Sequence, residues 1–341
     1  MKHWKKLLAL ALTLALALTL AGCGKTDTGD AEQTQTEEQT EEVTGESYAI
    51  AALKGPTAMG LVKLMSDAES GADLVNDYAF SLAASADEVS PLLMKGELDM
   101  ACVPANLAAV LYQKTEGDIV TLAVNTLGVL YIVENGNAVE TMADLQGKTI
   151  VASGKGSTPE YALRYLLSEN GLDPDGDVII DWKSEHSECV SALATGAATI
   201  AMLPQPFVTV AQSKIDGLRV ALDLTEQWDA LDNGSALLTG VIVARREVVE
   251  ANPAAVDAFL KDYAGSVEWV NSNTAEAAEL IGSYDIVESA VAEKALPYCN
   301  IVCITGTEMK DKLSGYLQVL ADADASSVGG AMPGDDFYYG A

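Results

Sequence analysis

Basic residues are scarce in this chain. Its 341 residues include 20 lysines and arginines against 50 aspartates and glutamates, a formal net charge of −30. A surface of that sign repels phosphate backbones, which excludes nucleic acid as a partner. Histidine is scarcer still, with only His3 and His186. Without a Cys/His cluster at ligand spacing the sequence offers no zinc site, and neither a metal nor a cofactor is expected. The Gly-x-Ser-x-Gly elbow of hydrolases is missing too, because Gly154-Lys155-Gly156-Ser157-Thr158 has no glycine two places after its serine. A Ser or Cys nucleophile would have only His186 to activate it, with Cys189 three residues further on and no orienting partner, so no enzyme is read. Beyond residue 20 no apolar run approaches the ~20 residues that crossing a bilayer requires. Aromatics make up 6% of the chain and decide little about a ligand.

Of five cysteines, Cys102 falls in a strand pattern and Cys189 in a helix pattern, and both read as buried thiols. Cys299 and Cys303 are near enough in sequence to bridge, but are read as free thiols. What the chain has in quantity is apolar residues, 49% of the total, enough at this length for two compact lobes.

The N-terminus stands apart. Lys2, Lys5 and Lys6 precede an apolar run from Leu7 to Leu20, the order of a secretory signal. It ends in Leu20-Ala21-Gly22-Cys23, which resembles the bacterial lipobox and implies loss of residues 1–22 and acylation of Cys23. Residues 23–46 are mostly Thr, Glu, Gln and Asp and read as a disordered tether. Such a coil reaches about 25 Å, close to a membrane without entering it. Gly24-Lys25-Thr26 mimics a phosphate loop but has no glycine five residues earlier and no leading strand.

Past the tether, short β-rich runs alternate with helical periods: residues 48–53 then 57–68, 78–83 then 87–95, 100–103 then 107–112. This alternation predicts largely parallel sheets covered by helices. The chain also matches itself at an offset of 100. Glu88–Val110 overlies Glu188–Val210, with identities at Glu88/Glu188, Leu93/Leu193, Gly96/Gly196, Ala101/Ala201, Pro104/Pro204 and Val110/Val210. A second echo sets Gly55-Pro56-Thr57 near Gly156-Ser157-Thr158-Pro159. In both, a strand ends, glycine turns the chain, and a helix begins whose first N–H groups lack intrahelical partners. Helix starts beyond the carboxyl ends of parallel strands suit an anion or a polar acceptor.

With the lipobox, "LKGPTAMGL" (Leu53–Leu61), "GELDMACVPAN" (Gly96–Asn106), "MADLQGKTIVASGKGSTPEYALRYLL" (Met142–Leu167), "ATIAMLPQPFV" (Ala198–Val208) and "TGVIVARREVVEANPAAVDAFLKDY" (Thr239–Tyr263), the chain resembles the solute-binding lipoproteins of bacterial ABC importers. The likeness is to the type 2 periplasmic-binding-protein superfamily, in the branch of nitrate-, sulfonate-, taurine- and thiamine-precursor binders. The resemblance implies an α/β fold of two lobes with two crossover strands near Leu130–Glu134 and Thr239–Ala244. Residues 47–130 and 240–341 would form one lobe and 131–239 the other, with Ser326–Ala341 a loosely held tail. It implies a monomer, lipid-anchored outside the cytoplasm, that closes on a small solute and docks on ABC permease subunits. The expected solute-binding residues are Thr57, Ala58, Asn106, Asn125, Ser157, Thr158, Trp182, His186 and Gln205. A tethered sensory or protein-binding lipoprotein is the alternative, and a precursor-forming enzyme of that fold is the next. Acylation is checked directly: Cys23→Ser should move the protein from the membrane to the soluble fraction, and unchanged membrane fractionation would refute it.

Overall fold

The alternating pattern folds as two sheets, in a computed structural model that describes residues 44–341. The signal-like segment, Cys23 and the tether as far as residue 43 lie outside the described residues. The first run of elements is β1 (Ser47–Leu53), α1 (Pro56–Met59), α2 (Val62–Ser70), β2 (Asp77–Ala83), α3 (Ala86–Met94), β3 (Met100–Pro104), α4 (Ala105–Lys114) and β4 (Ile119–Leu127). A second run repeats the plan: β5 (Leu130–Glu134), β6 (Thr149–Ser153), α5 (Thr158–Glu169), β7 (Ile179–Lys183), α6 (His186–Ala194), β8 (Ile200–Pro204), α7 (Phe207–Lys214), β9 (Arg219–Asp223) and α8 (Leu224–Asp229). The chain then returns through β10 (Leu238–Arg245), α9 (Arg246–Ala251), α10 (Pro253–Ser272), α11 (Thr274–Ser283), α12 (Ser289–Ala295), β11 (Ile301–Ile304) and α13 (Gly306–Ala323).

The sheets have corresponding strand orders, β11-β4-β10-β3-β1-β2 and β7-β6-β8-β5-β9. In the first, β1, β2, β3 and β4 run one way and β10 and β11 the other; in the second only β5 is reversed. The offset of 100 survives as strand register. Ala51 pairs with Ala101 as Val151 pairs with Ala201, and Leu53 pairs with Ala83 as Ser153 pairs with Lys183. Gly96 and Gly196 end the matching helices with φ of 75° and 72°, a left-handed turn that glycine adopts without strain. The apolar runs at 130–134 and 239–244 are strands set between others of their sheets, each flanked on both sides by antiparallel neighbours.

Two local expectations are revised. The helix read over 57–68 is broken into α1 and α2 at Gly60, where a Cβ would lie 2.7 Å from the Tyr263 hydroxyl. The carboxyl-terminal residues are no loose tail. Val328 and Phe337 are fully buried, Tyr339 N–H donates to Thr121 O at 3.0 Å, and Arg246 pairs with Asp336 at 2.8 Å. The anchors are several: Val328, Phe337 and Tyr338 are buried, each such side chain gaining about 1.5–3 kcal/mol, and the hydrogen bonds add to them. Residues at the predicted end of the tether are held as well, since Asn252 Nδ2 donates to Thr44 O and Glu46 N–H to Asn76 Oδ1, both at 3.0 Å. Asn252 also caps α10, accepting from Ala255 N–H at 3.1 Å. Cys299 and Cys303 are thiols, the first buried and the second partly so.

The chain passes from the first sheet to the second through Gly128-Val129. Two successive carbonyls there are held from opposite sides: Gly128 O accepts from Asn300 Nδ2 at 2.6 Å, and Val129 O from Gln205 N–H at 3.0 Å. Asn300 lies just before β11 of the first sheet and Gln205 just after β8 of the second, so this peptide is the link from one sheet to the other. A Cβ on Gly128 would lie 2.1 Å from Thr225 Oγ1, itself buried without a partner. Gly128→Ala is therefore expected to cost about 1–3 kcal/mol through overpacking. Thr225→Ala removes the obstructing oxygen at little cost and should recover part of the loss, as read from denaturant midpoints.

Candidate functional site

The carboxyl ends of β3 and β6 face one another across the junction of the sheets, because α4 and α5 start there. Asn106, at the second residue of α4, accepts through Oδ1 from Thr158 Oγ1, at the first residue of α5, at 3.4 Å. Thr57, Asn106, Asn125, Ser153, Thr158 and Gln205 are each more than nine-tenths buried. Polar groups so deeply buried must be partnered, since each one left bare costs about 1–3 kcal/mol. Their partners decide what each can still do.

On the first sheet, Asn125 near the end of β4 donates through Nδ2 to Thr57 O at 3.3 Å and accepts from Thr126 Oγ1 at 3.1 Å. Thr57 donates its hydroxyl to Leu53 O at 3.0 Å. Gly240 makes this approach possible: a Cβ there would lie 2.5 Å from both Asn125 Oδ1 and Thr57 Cγ2. The amide of Ala58 donates to Gly55 O at 3.0 Å, so it serves the turn. At α5 the Ser157 hydroxyl is likewise spent on Gly154 O at 2.8 Å.

On the second sheet, Ser153 at the end of β6 is hydrogen-bonded to His186 Nδ1 at 2.5 Å, and the His186 ring lies 5.0 Å from that of Phe207. This leaves Nε2 as the ring nitrogen able to meet a partner. Burial pushes the His186 pKa down from 6.5 to about 4, so the ring is neutral and is a weak base at neutral pH. Gln205 Oε1 accepts from Thr209 Oγ1 at 2.9 Å and Thr209 N–H at 3.4 Å, which orients its Nε2 amide as the remaining donor. Trp182 is not brought to His186. It packs with Ile180 on the face covered by α5, whereas Cys189 and Val151 lie on the face covered by α6 and α7. Sequence reasoning missed Ser153 and Phe207, which stand four residues before Ser157 and two after Gln205.

Three recesses are described, and none is lined by Thr57, Asn106, Asn125, Thr158, His186 or Gln205. A cavity of about 790 Å³ lies between α5 and α13, lined by Glu160, Tyr161, Arg164, Tyr165, Val319 and Asp322 among others. Cavities of about 420 and 370 Å³ lie at the amino ends of the first sheet, beside Arg245 and Asn252 respectively. At the carboxyl ends the side chains of the two bodies meet instead. Among the described residues no group of three or more His, Cys, Asp and Glu is placed to hold a metal ion, and no helix is long and apolar enough to cross a membrane.

Two sheets of this order, meeting at their carboxyl ends, form the two-lobed fold of periplasmic solute-binding proteins. The chain belongs to the NMT1-like family, whose model matches residues 63–283. It is similar in structure to an ABC transporter protein from Parabacteroides distasonis, at 22% identity and TM-score 0.72, covering 86% of this chain and 98% of that one. It is similar also to the periplasmic aliphatic sulphonate binding protein SsuA from Escherichia coli, at 18% identity and TM-score 0.68 over 82% and 92% of the two chains. The periplasmic nitrate-binding protein NrtA from Synechocystis PCC 6803 aligns at 15% identity and TM-score 0.53 over 73% and 70%. No curated protein sequence matches the chain.

The half-buried imidazole carries a pH signature. The unfolded chain takes up a proton near pH 6.5, which folded His186 refuses until about pH 4. Stability contributed by the neutral ring is therefore full above pH 6.5 and falls as pH drops through that window. Proton NMR of the imidazole should give a midpoint near 4, and His186→Gln should flatten the slope of stability against pH between 4 and 6.5. A midpoint near 6.5 would mean a solvated ring.

Proposed function

We propose that this protein is the solute-binding component of an ABC importer, working outside the cytoplasm on a lipid tether at Cys23. It captures a small solute between two lobes, divided near residues 130 and 239, and delivers it to permease subunits. The observation that carries the reading is that each sheet gathers neutral hydrogen-bonding groups at the carboxyl ends of its strands, Thr57 and Asn125 on one and His186 and Gln205 on the other, with Thr158 and Asn106 in contact across the junction. None of these four side chains is a cation. A solute there is held by donors such as Gln205 Nε2, which suits acceptor-rich groups: a sulfonate, a nitrate, or a heterocycle with ring nitrogens.

Closure supplies the affinity. Micromolar binding needs about 8 kcal/mol, and a hydrogen bond to a charged group gives about 1.5–3 kcal/mol. Two or three such bonds give about 3–9 kcal/mol, and apolar area buried beside the Phe207 and His186 rings makes up any remainder. Catalysis has less support, because a histidine with its pKa near 4 is a poor general base at neutral pH.

Calorimetry of the purified protein against alkanesulfonates, nitrate and aminopyrimidines tests the reading. One of these classes should bind at micromolar Kd or tighter. Gln205→Glu, which keeps the shape but adds a negative charge, should weaken an anion by roughly 10- to 100-fold, about 1.4–2.8 kcal/mol. Binding undisturbed by that substitution would place the solute elsewhere.

A further inference from the structure

The polar contacts across the junction do more than line it. Tyr316 lies on α13, which follows β11 and so belongs with the first sheet. Its side chain is fully buried, and its hydroxyl donates to Thr158 Oγ1 of the second body at 3.2 Å. Thr158 donates in turn to Asn106 Oδ1 at 3.4 Å, and Asn106 Nδ2 donates to Ser327 O in the carboxyl-terminal strap at 3.2 Å. The four groups form a relay that leaves the first body, enters the second at one hydroxyl, and returns. Each bond runs from protein to protein, so no solute atom is needed to complete it.

Packing supports the same bridge. The Tyr316 ring lies 5.6 Å from that of Trp228 on α8, and Trp228 lies 4.8 Å from Tyr165 on α5. Trp228 is fully buried and its Nε1–H donates to Ser235 Oγ at 2.9 Å, which fixes the surface that Tyr316 meets. Burial pushes the Tyr316 hydroxyl well above its ordinary range, so it stays a donor at every ordinary pH. Something also opposes closure on this flank. Glu160 and Glu169 of α5 share a cavity with Asp322 and Asp324 at the end of α13, while Arg164 there is paired with Asp175. Like charges facing one another across the bodies push them apart.

We propose that Tyr316, Thr158, Asn106 and the Ser327 carbonyl form an interlobe latch that sets the closed population independently of the solute. Tyr316 is then a positioning residue: it touches no solute and acts by holding Thr158. The consequence for binding rests on the solute-capture reading above. A latch multiplies the affinity of every solute by the same factor, because it changes the fraction of binding-competent molecules. A solute-contacting residue changes affinities selectively.

The test separates the latch from that reading. Dyes are placed on the full chain at Met94→Cys and Ile179→Cys, exposed positions on the two bodies, and interdye distance is followed by single-molecule fluorescence without any solute. Tyr316→Phe keeps the ring and removes the hydroxyl, and should shift the closing equilibrium toward the open distance by roughly 3- to 10-fold. Thr158→Val, near-isosteric with threonine, breaks the relay from the other side and should do the same, so failure of one variant to fold leaves the other decisive. Calorimetry should then show all bound solutes weakened by one common factor in Tyr316→Phe. Unchanged distance distributions in a folded variant would overturn the latch even if solutes bind. A shifted distribution with no solute bound by the parent would sustain the latch and count against the transport reading alone.

Discussion

Everything at the junction follows from one constraint: two sheets meet at their carboxyl ends, and the polar groups gathered there are buried by one another. A strand's carboxyl end feeds a turn and a helix start, so side chains such as Thr57, Asn106 and Thr158 collect there. Bringing two such edges together removes water from both. Asn106 then has to find Thr158 and Ser327, and Gln205 has to find Thr209. Groups left with unused donors become the ones able to hold a guest.

The duplicated register explains why the edges match. Strands that pair at Ala51–Ala101 and Val151–Ala201 bring the following turns to equivalent places on their sheets. The two bodies differ where their lining differs. The first presents Asn125 braced by Thr126 and admitted by Gly240, while the second presents an imidazole braced by Ser153 and set against Phe207. A histidine kept neutral and an amide fixed by Thr209 make the second body a donor surface without formal charge, in a protein whose net charge is −30.

Much of this was legible in the sequence because it is local or periodic. The offset of 100 is a repeat and the glycines at 96 and 196 act on their own turns, and each has its counterpart in the fold. Contacts that depend on strand order were not legible. Ser153 and His186 are 33 residues apart, and Thr158 and Tyr316 are 158 apart; only the sheet topology brings either pair together. Trp182 and His186 are both expected at the solute, but the alternation of β7 sends the indole to the face covered by α5. The carboxyl-terminal strap did carry a signal. Phe337-Tyr338-Tyr339 is a run of three aromatics in a chain with 6% aromatics, and the glycines and aspartates around it obscured the apolar anchor.

The central claim is that one guest engages both carboxyl edges together. Hydrogen–deuterium exchange, measured with and without a saturating solute found by calorimetry, tests it most directly. The account predicts simultaneous protection of residues 55–59 in the first body and of residues 154–158 and 205–208 in the second. Protection confined to one body, or to the cavity between α5 and α13, would contradict it.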